Sequence, residues 1–208
     1  MLETSVTRRL TAHFVAHWRQ RAPRGTVIRR DLAVAPPPHP DAVTLESVAL
    51  PEASRSPQQK VRAALANVLL EELEAADVVL IGAPLYNFSV PSTLKAWFDL
   101  VSRPGRTFRY GPSGHEGLLA NKTIVAVTGR GGFYPGPAAP PEAVDLQEAL
   151  FRSFFAFMGL NDVRFIHAEG QGIDPATATE HEAKARAAID RLLADGFGTG
   201  AGAAFAAL

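Results

Sequence analysis

The sequence contains no cysteine. Disulfides, thiolate nucleophiles and cysteine metal sites are therefore excluded at once. It has no net charge either, with 21 Lys and Arg against 21 Asp and Glu. A balanced chain offers no electrostatic case for nucleic acid or for an anionic membrane surface. No apolar run approaches about 18 residues, so no transmembrane helix is expected. Arg8 and Arg9 near the N-terminus are not followed by an apolar stretch, so the start does not read as a secretory signal. A soluble cytoplasmic protein is the expectation. The histidines, His13, His17, His39, His115, His167 and His181, are scattered without the spacing of a metal triad. His13 and His17 stand at i, i+4 but lack the carboxylate of the zinc-helix motif. No Ser-centred nucleophile elbow and no internal repeat occur.

What is present suits one globular domain: 208 residues, 47% of them hydrophobic. Residues 5–21 carry Leu10, Phe14 and Trp18 at helical spacing, with Ser5 or Thr4 as cap. Thr26 to Leu32 reads as a short strand, and Ala35-Pro-Pro-Pro-His-Pro40 as a surface loop. Residues 41–54 are weakly patterned, with room for a short turn of helix. Residues 57–76 form a helix with Pro57 at its start and a core face of Leu65, Val68, Leu69 and Leu73. Lys122-Thr-Ile-Val-Ala-Val-Thr128 is the clearest buried strand. A helix over 142–159 has Leu146, Leu150, Phe154, Phe157 and Met158 as its core face. Asp162 to Ala168 is read as the last strand, followed by a surface helix over 175–194. The expected organisation is a domain over residues 1–195 and a flexible low-complexity tail over 196–208, from Gly198-Thr-Gly-Ala-Gly-Ala-Ala204. Strands alternating with helices give an α/β doubly wound sheet.

The chain is organised around residues 77–110. Asp77-Val-Val-Leu-Ile-Gly-Ala-Pro84 reads as a strand buried on both faces. Leu94, Trp97, Phe98 and Val101 mark the helix that follows. Leu85 to Ser89 lies between them, at the carboxyl end of a strand, where open α/β sheets bind ligands. Tyr86, Asn87 and Phe88 suit a flat polar ring system there, or equally a plain βα turn with aromatics plugging the core edge.

Several separated segments carry a family likeness: Ala83-Pro-Leu-Tyr-Asn-Phe88, Leu94-Lys95, Phe98-Asp99, Thr107-Phe-Arg-Tyr110, Gly117-Leu118, Lys122, Thr128-Gly-Arg-Gly-Gly132 and Ala168-Glu-Gly170. In that order they resemble the FMN-dependent NADH-azoreductases, flavodoxin-like quinone and azo-dye reductases. The likeness runs over roughly residues 5–195. It implies a flavodoxin-like three-layer doubly wound parallel sheet. It implies a homodimer, FMN as cofactor and NADH or NADPH as donor. Hydride would pass through flavin N5, in ping-pong fashion, to a quinone or azo compound. No protein acid or base is then required.

By the same resemblance Ser5, Val6 and Thr7 are the phosphate segment, although a helix cap explains Ser5 alone. Leu85, Tyr86, Asn87 and Phe88 face the isoalloxazine, with main-chain donors at Asn87 and Phe88. Gly129, Arg130, Gly131 and Gly132 form the second flavin loop. The family pattern more often has Ser where Gly129 stands. Tyr110, Phe133 and Tyr134 either wall a substrate pocket or pack ordinarily. Arg130 either steers an anionic substrate or solvates the surface, the latter being the expectation. The family opens with a buried strand and phosphate loop that this chain lacks, since Ser5-Val-Thr7 already enters the helix. The missing strand is expected to leave two neighbours without ladder partners. Three accounts stand: a start lying upstream, which is the expectation; compensating contacts elsewhere; or a degenerate copy. A flavodoxin-like electron carrier, disfavoured by zero net charge, and a relic that binds no flavin are the alternative functions.

Overall fold

Two runs dominate the fold because nearly every side chain in them is apolar: β2 (Val78–Pro84) and β5 (Thr123–Gly129). Such runs are stable only when covered on both faces. The computed structural model describes residues 5–112, 114–134, 145–195, 197 and 203–208. In it β2 and β5 pair in parallel at the centre of a five-stranded sheet. The other strands are β1 (Thr26–Arg29), β6 (Val163–Ala168) and β7 (Ala204–Ala207). A hairpin of β3 (Phe108–Gly111) and β4 (Gly114–Gly117) stands apart.

Alternation along β2 divides the core. Val78 and Leu80 face Leu10, Phe14 and Trp18 of α1 (Val6–Arg21) and Ile189 and Leu193 of α6 (Pro175–Ala194). Val79 and Ile81 face the opposite layer. There Leu69 and Leu73 come from α3 (Pro57–Ala75), Trp97 and Phe98 from α4 (Ser92–Val101), and Phe151 and Phe155 from α5 (Leu146–Phe157). A short α2 (Ala42–Ala49) and a 3-10 turn at Glu52–Ser54 occupy the weakly patterned stretch. The result is the expected three-layer, flavodoxin-like parallel sheet.

Two helix faces differ from expectation. Leu65 and Val68 of α3 are exposed, while Ala63 and Ala66 are fully buried. Leu146 of α5 is exposed, and Gln147, Phe151 and Phe155 point deepest. Gln147 Nε2 donates to the carbonyls of Ala83 (3.2 Å) and Pro84 (3.4 Å), which sets the rotation of α5 against the end of β2.

The largest correction concerns the tail. No strand precedes α1 among the described residues. The strand order is β1-β7-β2-β5-β6, so β7 occupies the interior slot that the resemblance assigns to an N-terminal strand. Residues 203–208 are therefore an inner strand and its flanks, not a flexible tail; Gly196 and residues 198–202 lie outside the described residues. Nor is β6 the last strand. β7 pairs in parallel on both sides, Thr26 to Arg29 against Ala204 to Ala207 and Val78 to Leu80 against Phe205 to Ala207. Leu208 N–H donates to Leu80 C=O (2.8 Å), and Gly82 N–H to Leu208 C=O (2.9 Å). Asp77 fixes the entry, its carboxylate accepting from Ala204 N–H (2.8 Å). Phe205 is 1% exposed and packs its ring 4.9 Å from Trp18 and 5.5 Å from Phe14. The physical reason is pairing: both neighbours of this slot carry backbone groups that need partners inside the protein.

The hairpin packs at the other end of the sheet from the strand carboxyl ends. Leu119 N–H donates to Met158 C=O (2.9 Å), just past α5, and the Phe108 ring lies 4.6 Å from that of Phe157. A Cβ on Gly117 would lie 2.1 Å from Gly159 N, so only glycine allows this approach.

Replacing Phe205 with Ala should cost about 3–5 kcal/mol of unfolding free energy in urea. The amides of residues 204–207 should exchange as slowly as those of β2. A neutral substitution with unprotected amides would mean that the inserted strand is not part of the fold.

Candidate functional site

Three segments meet at the carboxyl ends of β2 and β5. Leu85 N–H donates to Gly129 C=O (2.8 Å), joining the two strand ends. The first turn of α1 lies across them. A Cβ on Gly129 would fall 2.6 Å from Val6 Cγ1, and one on Gly82 3.1 Å from Thr11 Cγ2. Gly129 thus admits the helix, and a serine there would collide with Val6 unless the helix moved.

After β2, Tyr86 and Ser89 exchange two backbone hydrogen bonds of 3.0 Å around a two-residue turn. Asn87 (φ 48°) and Phe88 (φ 67°) both sit in the left-handed region. Asn tolerates this; for Phe it is strained, at a cost on the order of 1–3 kcal/mol. Among the described residues nothing accepts the N–H groups of Asn87 and Phe88. The rings of Tyr86 and Phe88 are left 60% and 58% exposed. The strained turn thus presents two donors and two aromatic faces to the outside.

After β5, the loop of Arg130, Gly131 and Gly132 is held by its carbonyls. Gln171, Gly172 and Gly170 donate to them in turn at 2.9, 2.9 and 3.1 Å. The N–H groups of Gly131 and Gly132 have no partner among the described residues. A Cβ on either glycine would meet nothing within 4 Å, so the surface above this loop is open. Phe133 rests on Gly170 and on the His181 ring (5.1 Å), and Tyr134 N–H donates to Glu169 (3.1 Å). Both aromatics border the loop. At the helix end, Ser5 Oγ lies 3.0 Å from Thr7 Oγ1 and accepts from Arg8 N–H (3.5 Å). The N–H groups of Val6 and Thr7 are unpaired among the described residues, at the positive end of α1. Thr7 is buried against Gly82 and Gly129, with its hydroxyl beside that of Ser5.

Arg130 corrects its expectation. Its side chain is 2% exposed and is neither a surface cation nor a substrate guide. It pairs with Asp145 (2.8 Å) and Glu169 (3.5 Å), stacks over Tyr134 (5.5 Å), and donates from Nε to Thr128 Oγ1 (3.2 Å). Thr128 Oγ1 then meets His167 Nδ1 (2.7 Å), and His167 Nε2 faces Glu148 (3.3 Å). Since Thr128 accepts from arginine, its own proton goes to Nδ1, and neutral His167 carries its proton on Nε2 towards Glu148. Burial pushes the His167 pKa down and the Arg130 charge adds to this, with Glu148 opposing. Composition and spacing gave no sign of His167, Glu148, Asp145 or Gln147 as neighbours of the site; only Glu169 lay within a motif. Tyr110 is not part of the cluster. It is 75% exposed on the hairpin, which packs at the opposite end of the sheet.

The flavodoxin-like fold family matches residues 2–193. The chain is 46% identical to the FMN-dependent NADH:quinone oxidoreductase 2 of Pseudomonas putida over 168 residues, 81% of this chain and 82% of that one. It is 43% identical to the FMN-dependent NADH:quinone oxidoreductase of Azospirillum brasilense over 191 residues, 91% of each. Its structure is similar to a crystal structure of azoreductase from Bacillus anthracis, with TM-score 0.82 and 27% identity over 95% of this chain and 94% of the other.

The depressed pKa of His167 has a defined sign. The unfolded chain takes up a proton near pH 6.5 while the folded chain resists it, so stability is full above that pH and falls as pH drops through it. The slope from one such group is at most about 1.4 kcal/mol per pH unit. Urea unfolding between pH 8 and 5 should show this loss, and His167→Gln should flatten it. The paired carboxylates Asp31 and Glu182 act only at lower pH, because their pKa values are held below the ordinary carboxylate range.

Proposed function

This chain belongs to the flavodoxin-like family that includes the FMN-dependent NADH:quinone oxidoreductases, and on that premise we propose that it binds FMN across the three segments and reduces quinones and aromatic azo compounds with NADH or NADPH. The observation that carries this reading is the set of unpaired main-chain donors at Asn87, Phe88, Gly131 and Gly132, beside the free end of α1. These residues fit a flat cofactor with an anionic tail. The first turn of α1 takes the phosphate, where N–H groups and the helix dipole favour negative charge. Leu85 to Phe88 takes the isoalloxazine, with Asn87 and Phe88 donating to its pyrimidine edge. Gly129 to Gly132 lets the backbone approach the ring plane, since no side chain stands over Gly131 and Gly132.

The chemistry that bound FMN supplies is two-electron exchange, with hydride accepted from the nicotinamide and given to the quinone or azo compound in ping-pong order. The chain positions and polarises. Donors aimed at the pyrimidine edge stabilise negative charge as it develops, and they cost little reorganisation because the turn is already set. Tyr86, Phe88, Phe133 and Tyr134 form the apolar walls over the ring. Protons come from water, so no side chain need act as acid or base. A homodimer with pockets at the subunit boundary is part of the same proposal and rests on the family resemblance alone.

Titration with FMN should give a protein-bound flavin spectrum that NADH bleaches, with turnover on a quinone and no partner protein present. Gly132→Val should weaken FMN at least tenfold, about 1.4 kcal/mol, without lowering the urea midpoint. Initial rates should give parallel double-reciprocal lines. A chain that stays colourless would overturn the reading, and turnover only with an added redox partner would make it an electron carrier instead.

A further inference from the structure

The tertiary fold supplies the carboxylate missing from the His13 and His17 pair. Asp190 of α6 faces both rings across the seam between α1 and α6. His13 Nε2 lies 2.7 Å from Asp190 Oδ1 and His17 Nδ1 3.5 Å from the same oxygen. One candidate ligand atom from each residue falls within a sphere where all separations are under 4.8 Å. The two imidazoles lie 4.1 Å apart, centroid to centroid. A simple histidine–aspartate ion pair needs one ring; here a second converges on the same carboxylate from one turn away.

We propose that His13, His17 and Asp190 bind a divalent transition metal of the zinc class. Two imidazole nitrogens and one carboxylate oxygen suit Zn²⁺, Ni²⁺ or Cu²⁺ and not the oxygen-seeking Mg²⁺ or Ca²⁺. Ligands about 2.0–2.2 Å from a tetrahedral ion stand roughly 3.3–3.5 Å from one another. The His17 to Asp190 separation already has this value, and the His13 to Asp190 contact must open by roughly 0.6 Å. Asp190 and His17 are only partly buried, which leaves room for that movement and for a water in the fourth position. Arg9 and Arg186 lie one turn from His13 and Asp190 respectively, and both pair with Glu182 (2.5 and 2.8 Å), away from the triad.

The ion would join the helix whose first turn takes the phosphate to the last helix of the chain, beyond which lies β7. It binds only where α1 and α6 are docked, so it acts as a clip on the folded state.

The experiment uses untagged, flavin-loaded protein stripped with a chelator and titrated with ZnCl₂ by calorimetry, with thermal unfolding alongside. One Zn²⁺ per chain and a Tm raised by about 5–10 °C at a hundredfold excess over Kd are expected. Co²⁺ should give the d–d absorption of a four-coordinate ion. Asp190→Asn combined with His17→Gln should abolish all three and leave the flavin spectrum and metal-free turnover unchanged. His39, His115, His167 and His181 remain in that variant, so adventitious histidine binding would persist there. No uptake by the parent chain, or equal uptake by the variant, overturns the proposal.

Discussion

A parallel sheet covered on both faces leaves no water to satisfy an unpaired interior edge. That constraint shapes this molecule. β1 and β2 stand two strand positions apart, and β7 fills the gap with hydrogen bonds to both. Filling it completes the hydrophobic layers as well, since Phe205 faces the α1/α6 layer and Ala206 the opposite one. The far end of the same chain thus supplies the pairing that this slot needs. Small residues make this possible: the alanines of β7 add little bulk where helices cross closely, and one phenylalanine supplies most of the buried area.

With the sheet complete, its carboxyl edge becomes a rigid platform. Strained backbone is sustainable only on such a base. The turn at Asn87 and Phe88 is clamped by the Tyr86–Ser89 pair and by the tie between β2 and β5. The loop of Gly131 and Gly132 is clamped through its carbonyls. The carbonyls of Tyr86, Ser89 and residues 130–132 accept inside the protein, while the N–H groups of Asn87, Phe88, Gly131 and Gly132 find no acceptor among the described residues.

Arg130 works from below. A buried guanidinium with Asp145, Glu169 and Thr128 around it joins the ends of β5 and β6 to the start of α5. Removing one member would strand the others, since a buried unpaired charge costs more than the pair contributes. The same seam logic recurs at α1 and α6, where ion pairs and the His13, His17, Asp190 cluster bridge the first and last helices.

Much of this was legible in the chain. β2, β5, β6 and the amphipathic helices are written in local period, and the strand-end segments Leu85 to Phe88 and Gly129 to Gly132 in local motif, because strand runs and turn residues depend on near neighbours. The rotation of α5 was not, because adjacent aromatics give two overlapping apolar stripes and only the grip of Gln147 on β2 selects one. The state of Ala204 to Ala207 was not, because three alanines around one phenylalanine have no strand preference until two edges pair with them. The Thr128–His167 contact depends on the β5–β6 register, and the meeting of His13 with Asp190 spans 177 residues. No local pattern encodes such encounters; helix packing and strand register create them, and only the tertiary structure decides them.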